Sequence, residues 1–350
     1  MDFQSLLFPG FLRDPEGNAG WLRGQAQAAA EAGLVVQYCM ALPADILASA
    51  DFPAVTNARA SQDYGAGGGN WRIAGSSLLL SALRLRASKD NFWTGPRNAR
   101  GFESSPYLVA AVAALSRGPV GFADPLGGTN PAVLWPAMAR NGSLLHPSRP
   151  ATYLDAQWTG AGALAGLQVS AAHCDLGGGG LRAYSLLAPV AGGGAAVLAG
   201  LALGDLWPAP AALPGLTPSP PRLLLWAFNA SGCTAGGAAG ACVVELGRGA
   251  PLPPPPPPSG DAQPWALLNA SPLLANGYAL LGEVDKYVAA SPDRVRGVAL
   301  GAGGAGLRVA LAGAPSEALR VAFYRPGAAP LVVVAELTLD ASGSLDATLV

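Results

Sequence analysis

The chain has 350 residues, enough to bury a large core and to form more than one domain. Its formal net charge is -1 and 12% of its residues are charged, which gives no electrostatic case for nucleic acid or an anionic membrane surface as a partner. With 47 glycines in the chain, motifs built on glycine are discounted.

The first 150 residues alternate helical and strand-like segments. Asn18 is placed to cap a helix through Trp21 and Leu22 to Gly33. Leu34–Cys39 reads as a buried strand, Asp45–Ala50 as a short helix and Ala54–Ala58 as a second strand. Trp71–Leu85 has the apolar content of a packed helix, and Phe92-Trp93-Thr94 is a strand fragment. Ser105 at the N-cap, Pro106 at the first helical position and Gly118 beyond the end bracket the next helix. Pro119–Ala123 is a strand that ends at Asp124, and a further helix runs from Pro131 to Arg140. This alternation implies parallel strands with crossover helices, in a barrel or a doubly wound sheet.

After Pro150 short apolar runs are broken by Gly, Pro and Ser, the spacing of an antiparallel β-sandwich. Leu164–Val169, Ala196–Leu203, Leu223–Phe228, Cys242–Leu246, Val298–Leu300, Leu307–Leu311, Arg320–Tyr324 and Leu331–Leu337 are the expected strands. Residues 183–204 carry no charge, but Pro189 and Gly192–Gly194 split them, so a strand-turn-strand is expected rather than a membrane helix. The run Pro253–Pro258, within a proline-rich loop at 251–260, cannot join a sheet ladder and reads as an exposed loop. No basic region followed by an apolar one marks a signal peptide after Met1.

Cofactor motifs are weak. Cys39, Cys174, Cys233 and Cys242 lack zinc spacing, while Cys233 and Cys242 flank a turn and read equally as a disulfide or as two thiols. Gly301–Gly306 fits GxGxxG, but a strand follows it where a nucleotide site needs a helix, so it reads as a turn. His146 and His173 are the only histidines, which leaves a Ser-His-Asp triad or a histidine metal site poorly supported. Asn141, Asn229 and Asn269 begin glycosylation sequons, a pattern common by chance. No cofactor is expected.

Carboxylate chemistry remains. Asp2, Asp63, Asp90 and Asp124 fall at or beside expected strand ends, where catalytic groups sit in a parallel barrel. An aspartate there is more often a helix cap or a solvated loop residue. Asp63 rises above that reading because Arg59 lies four residues earlier and Ser61 and Tyr64 surround it.

Several of these segments occur together in one family. Met1-Asp2-Phe-Gln4 is similar to a K-V-D-V-Q strand, and Arg59-Ala-Ser-Gln-Asp63-Tyr64 to R-x-x-D-D-F. Ser88-Lys-Asp90-Asn-Phe-Trp93 is similar to Q-P-D-W-D-M-F, the stretch around Asp124 to S-G-G-P-I-Y-V-S-D-x-x-G, and Ala139–Leu145 to L-P-D-G-S-I-L-R. With these blocks, residues 1–150 resemble the C-terminal half of the barrel in the raffinose synthase and alkaline α-galactosidase family, of the α-galactosidase clan of glycoside hydrolases. Trp226-Ala-Phe-Asn229 echoes that family's G-A-F-N in its C-terminal β-domain.

The resemblance implies a half (β/α)8 TIM barrel at 1–150 followed by a β-sandwich at 151–350. It implies a carbohydrate partner, an α-galactoside or related oligosaccharide, with hydrolysis or galactosyl transfer by a retaining mechanism. Asp2 maps to the nucleophile and Asp63 to the acid/base, while Arg59, Asp90, Trp93 and Asp124 are expected to bind substrate. Gln62 and Phe92 stand where the family has acids, and the family's lysine before the nucleophile and its first barrel strands have no counterpart. A truncated chain is the expectation, with a non-catalytic carbohydrate-binding or interaction protein of the same fold as the alternative.

Overall fold

The computed structural model describes residues 14–65, 72–95, 103–189, 197, 199–228, 243–246, 261–327 and 331–350. Asp2, Cys233, Cys242, Asn229 and the Pro253–Pro258 run lie outside the described residues. The protein is a mixed α/β chain with a parallel sheet first and a β-rich, antiparallel C-terminal region.

Helix α1 (Pro15–Glu31) starts earlier than Asn18, because Asp14 accepts from the Gly17 N–H and Pro15 opens the first turn. Asn18 instead donates to Asp45 at 3.0 Å, tying α1 to α2 (Pro43–Ala48). Strands β1 (Val36–Tyr38), β2 (Val55–Arg59) and β3 (Arg86–Ser88) form a parallel sheet in chain order, with α3 (Ala74–Ala82) between β2 and β3. After α4 (Pro106–Leu115) the chain returns parallel beside β3, where Ala87 bridges to Arg117 and Phe92 to Phe122. The approach is close: a Cβ on Gly118 would lie 2.3 Å from the Ala87 carbonyl oxygen, so only glycine fits.

Helix α4 is apolar all round and buried all round, with Tyr107 its one partly exposed residue. Its first N–H groups therefore cannot turn to water. Ser105 occupies the N-cap, yet its hydroxyl accepts from Gln263 N and makes no cap bond. The cap comes from a distant segment: Asp261 accepts from Tyr107 N at 3.0 Å, Leu108 N at 2.8 Å and Trp265 Nε1 at 2.7 Å. Burial raises the Asp261 carboxyl above its ordinary value, and these three donors oppose that.

The expected helix from Pro131 to Arg140 is broken. Helix α5 (Pro131–Leu134) passes into a 3₁₀ turn at Trp135–Ala137, as Pro136 cannot donate a helical hydrogen bond. Strands β4 (Arg149–Tyr153), β5 (Ser170–Asp175), β6 (Arg182–Ala188), β7 (Leu223–Ala227), β8 (Val243–Glu245) and β9 (Ala266–Pro272) then build an antiparallel sheet. Its order is β4-β5-β6-β9-β7-β8. Strands β10 (Ala279–Glu283), β13 (Ala318–Tyr324) and β14 (Val332–Thr338) form a second sheet. Strands β11 (Val295–Leu300), β12 (Leu307–Ala312) and β15 (Ser344–Leu349) form a third. These last two sheets share one core, with Leu280, Val321 and Phe323 facing Val309, Leu311 and Leu349.

Among the described residues, two of the strands expected after Pro150 are absent, and the expected strands at Phe92–Thr94 and Pro119–Ala123 are reduced to isolated bridges. Leu164–Val169 is a turn, because Gly166 and Gln168 take positive φ of 79° and 54°, backbone a strand does not use. In Ala196–Leu203, Val197, Ala199 and Gly200 are helical, in keeping with the alanine content of the run. The Gly301–Gly306 segment is the turn of the β11–β12 hairpin, as its sequence suggests. Among the described residues no helix is long and apolar enough to cross a membrane. Asn269 lies within central strand β9, 4% exposed, and accepts from the Ser185 hydroxyl of β6.

Two features lock the regions together. The largest core cluster joins α4 to Ala172, Leu187, Leu267 and Tyr287, so apolar packing crosses the boundary expected at residue 150. Arg294, 1% exposed, bonds Glu283 at 3.0 Å and both oxygens of Glu317 at 2.8 and 2.9 Å. Glu317 also accepts from the Arg140 N–H of the first region at 2.9 Å. Burial pushes the Glu317 carboxyl up, but these donors outweigh it and bring it down to about 2.

Asp261→Ala is expected to lower unfolding stability by about 2–4 kcal/mol in urea titrations, since it strips the cap and strands the Trp265 N–H. A loss under about 0.5 kcal/mol would show that the cap contributes nothing. Glu317 has a folded pKa below its unfolded value of 4.5, so its contribution is complete above 4.5 and disappears as pH falls toward about 2. The stability gap between wild type and Glu317→Gln should close over that window, and a gap that persists at the acid end contradicts the assignment.

Candidate functional site

The parallel sheet places charged residues at the C-terminal ends of adjacent strands. Arg59 is the last residue of β2, and Lys89 and Asp90 follow β3 directly. Arg59 Nη2 lies 2.6 Å from Asp63 Oδ1 and Nη1 lies 3.3 Å from Asp90 Oδ2. One guanidinium thus bridges two of the aspartates read from the sequence. The burial is asymmetric: the Arg59 side chain is 7% exposed and that of Asp63 is 60% exposed. Burial works against the Arg59 charge, yet Asp63 and Asp90 hold its pKa above the ordinary value.

The loop that carries Asp63 is laced to the end of β3. Asp90 N donates to Ser61 Oγ at 2.8 Å, and Tyr64 N donates to Asp90 Oδ2 at 2.8 Å. The Tyr64 hydroxyl donates to Glu103 Oε2 at 2.6 Å, and its ring meets Trp93 edge-on with centroids 5.3 Å apart. Burial first, and then the Glu103 bond, raises the Tyr64 phenol well above its ordinary value. Glu103 in turn accepts from Ser105 N at 2.9 Å, at the mouth of α4.

The structure brings Arg59, Asp63, Asp90 and Trp93 together. Asp124 stands one loop further on: it accepts from Thr94 N, Thr94 Oγ1 and Gly95 N. These bonds hold the turn after Trp93. Asp2 lies outside the described residues. His146 faces Asp293 at 3.4 Å and His173 sits in the β5–β6 sheet, pushed down to about 4 chiefly by burial. Among the described residues, no group of three or more His, Cys, Asp and Glu could hold a metal ion.

Lys89 and Glu103 went unmarked in the sequence. Both are 4% exposed. A lysine beside an aspartate after a strand reads as a solvated pair, and Glu103 carries no motif. What the arrangement can do is transfer a proton at an exposed carboxyl whose orientation a buried guanidinium fixes, beside a second carboxyl and an aromatic ring. Comparison of the chain with protein-family models and with curated proteins gives no match.

Tyr64→Phe leaves the buried Glu103 oxygen without its donor and is expected to cost about 1–3 kcal/mol by urea denaturation. Unchanged stability would mean that this bond does not hold the loop.

Proposed function

We propose that the protein is an α-galactosidase-like glycoside hydrolase or galactosyltransferase that acts on α-galactosides by a retaining two-carboxylate mechanism. The observation that carries the reading is the Arg59–Asp63 pair, an exposed carboxyl backed by a buried guanidinium at the end of a parallel strand. On this reading the first region is the C-terminal half of a (β/α)8 barrel and the rest includes its β-sandwich. The parallel segments follow chain order without reversal, which favours a barrel wall over a doubly wound sheet.

Asp63 would protonate the leaving glycosidic oxygen and later take a proton from water or an acceptor sugar. Arg59 holds that carboxyl in place. Asp90 offers its oxygens to sugar hydroxyls from the far side of the same guanidinium, and Trp93 supplies an apolar face. Asp124 acts through the Trp93 turn that it fastens. Asp2 is the assigned nucleophile in this reading, through the motif it shares with the family.

Asp63→Asn keeps an oxygen that can accept from Arg59 and leaves Asp90 as its counter-charge, so it should lower thermal unfolding only slightly, while it should slow galactose release from an unactivated α-galactoside by roughly 10²–10⁴-fold. Turnover that survives the substitution removes Asp63 from the mechanism. Sugar binding by wild type without turnover would support the non-catalytic carbohydrate-binding alternative, and neither binding nor turnover would sink the carbohydrate reading.

A further inference from the structure

Lys89 presents a problem of energetics. Its residue is 4% exposed, yet its ammonium has one described hydrogen-bond acceptor, the Asp90 carbonyl oxygen at 3.2 Å. The remaining contacts are aromatic: Nζ lies 5.1 Å from the Tyr64 ring centroid and 5.4 Å from that of Phe92. A buried ammonium with two ring faces in place of water is costly. Burial lowers its pKa from 10.5 to about 8, against the pull of Asp90 on its own loop and Glu103 on the segment before α4. Arg59 and Asp63 stand one contact further out, through Asp90. A methionine would fill the same space without that cost, and residues retained at a cost to stability concentrate at working sites.

The geometry indicates what the charge does. Tyr64 follows Asp63 directly, and its backbone and hydroxyl bind Asp90 and Glu103. We infer that Lys89 is a positioning residue: its caged ammonium pins the Tyr64 ring and the Asp90 carbonyl, and so holds the Asp63 loop against Asp90 and Glu103. Its role in turnover rests on the α-galactosidase-like reading; its hold on Tyr64 does not.

The test compares wild type with Lys89→Met and Lys89→Arg in NMR of ring-labelled tyrosines, the Tyr64 signal being assigned with Tyr64→Phe. The wild-type Tyr64 signal should titrate with a midpoint near pH 8, and that step should vanish in both variants. Absence of the step in wild type, or its survival in the variants, overturns the inference. A depressed folded pKa means that the unfolded chain holds the extra proton between about 8 and 10.5. Lys89→Met should therefore melt roughly 3–8 °C above wild type below that window, with the gap closing across it. No gap overturns the claim of a costly charge.

In the activity arm, wild-type turnover of an α-galactoside should fall on the alkaline side through the same midpoint, and Lys89→Arg should move that limb upward. An unmoved limb means that Lys89 does not position the site. If wild type turns over no α-galactoside, the functional reading fails, while the Tyr64 titration still decides the role of Lys89.

Discussion

A helix buried on every side has no water at its first turn, and α4 is such a helix. Its N–H groups must be met from inside the protein, and Asp261 meets them across more than a hundred residues of chain. That requirement orders the segment before α4 as well: Ala262 N donates to the Ser104 carbonyl and Gln263 N to Ser105 Oγ. Glu103, on the same segment, is then fixed where Tyr64 can reach it. Asp261 is thus connected to Asp63 through backbone and hydrogen bonds although the two never touch.

The charges around Asp63 form a chain of bridges. Arg59 links two carboxylates, Tyr64 links one of these to Glu103, and Lys89 lies over the ring that joins them. Low exposure of Arg59, Lys89 and Glu103 makes each link stronger than its surface equivalent, because fewer waters screen it. Asp63 alone of the group is mostly exposed, at 60%. The cluster is rigid behind and open in front, which suits a group that must meet a ligand.

Periodicity and punctuation made the parallel part of the fold legible. Pro106 marked the start of α4, and the Arg59–Asp63 spacing placed an exposed acid beside its partner. The cap of α4 was not legible, since no local pattern announces a carboxylate from residue 261. Strand β9 was not legible for a related reason: an interior strand buried on both faces loses the alternation that marks a strand. Lys89 and Glu103 were invisible because charge predicts exposure, and only the packed site shows them enclosed.

The place of Asn269 bears on how the chain can mature. Its amide sits within the hydrogen-bonded centre of the six-stranded sheet, against Ser185. A sugar tree on that nitrogen and a closed sheet exclude one another. Attachment could only precede the pairing of β9 with β6 and β7, and it would then block that pairing. The sequon at this position is therefore a race between sheet closure and modification in any compartment that glycosylates, and a folded molecule is one in which closure came first.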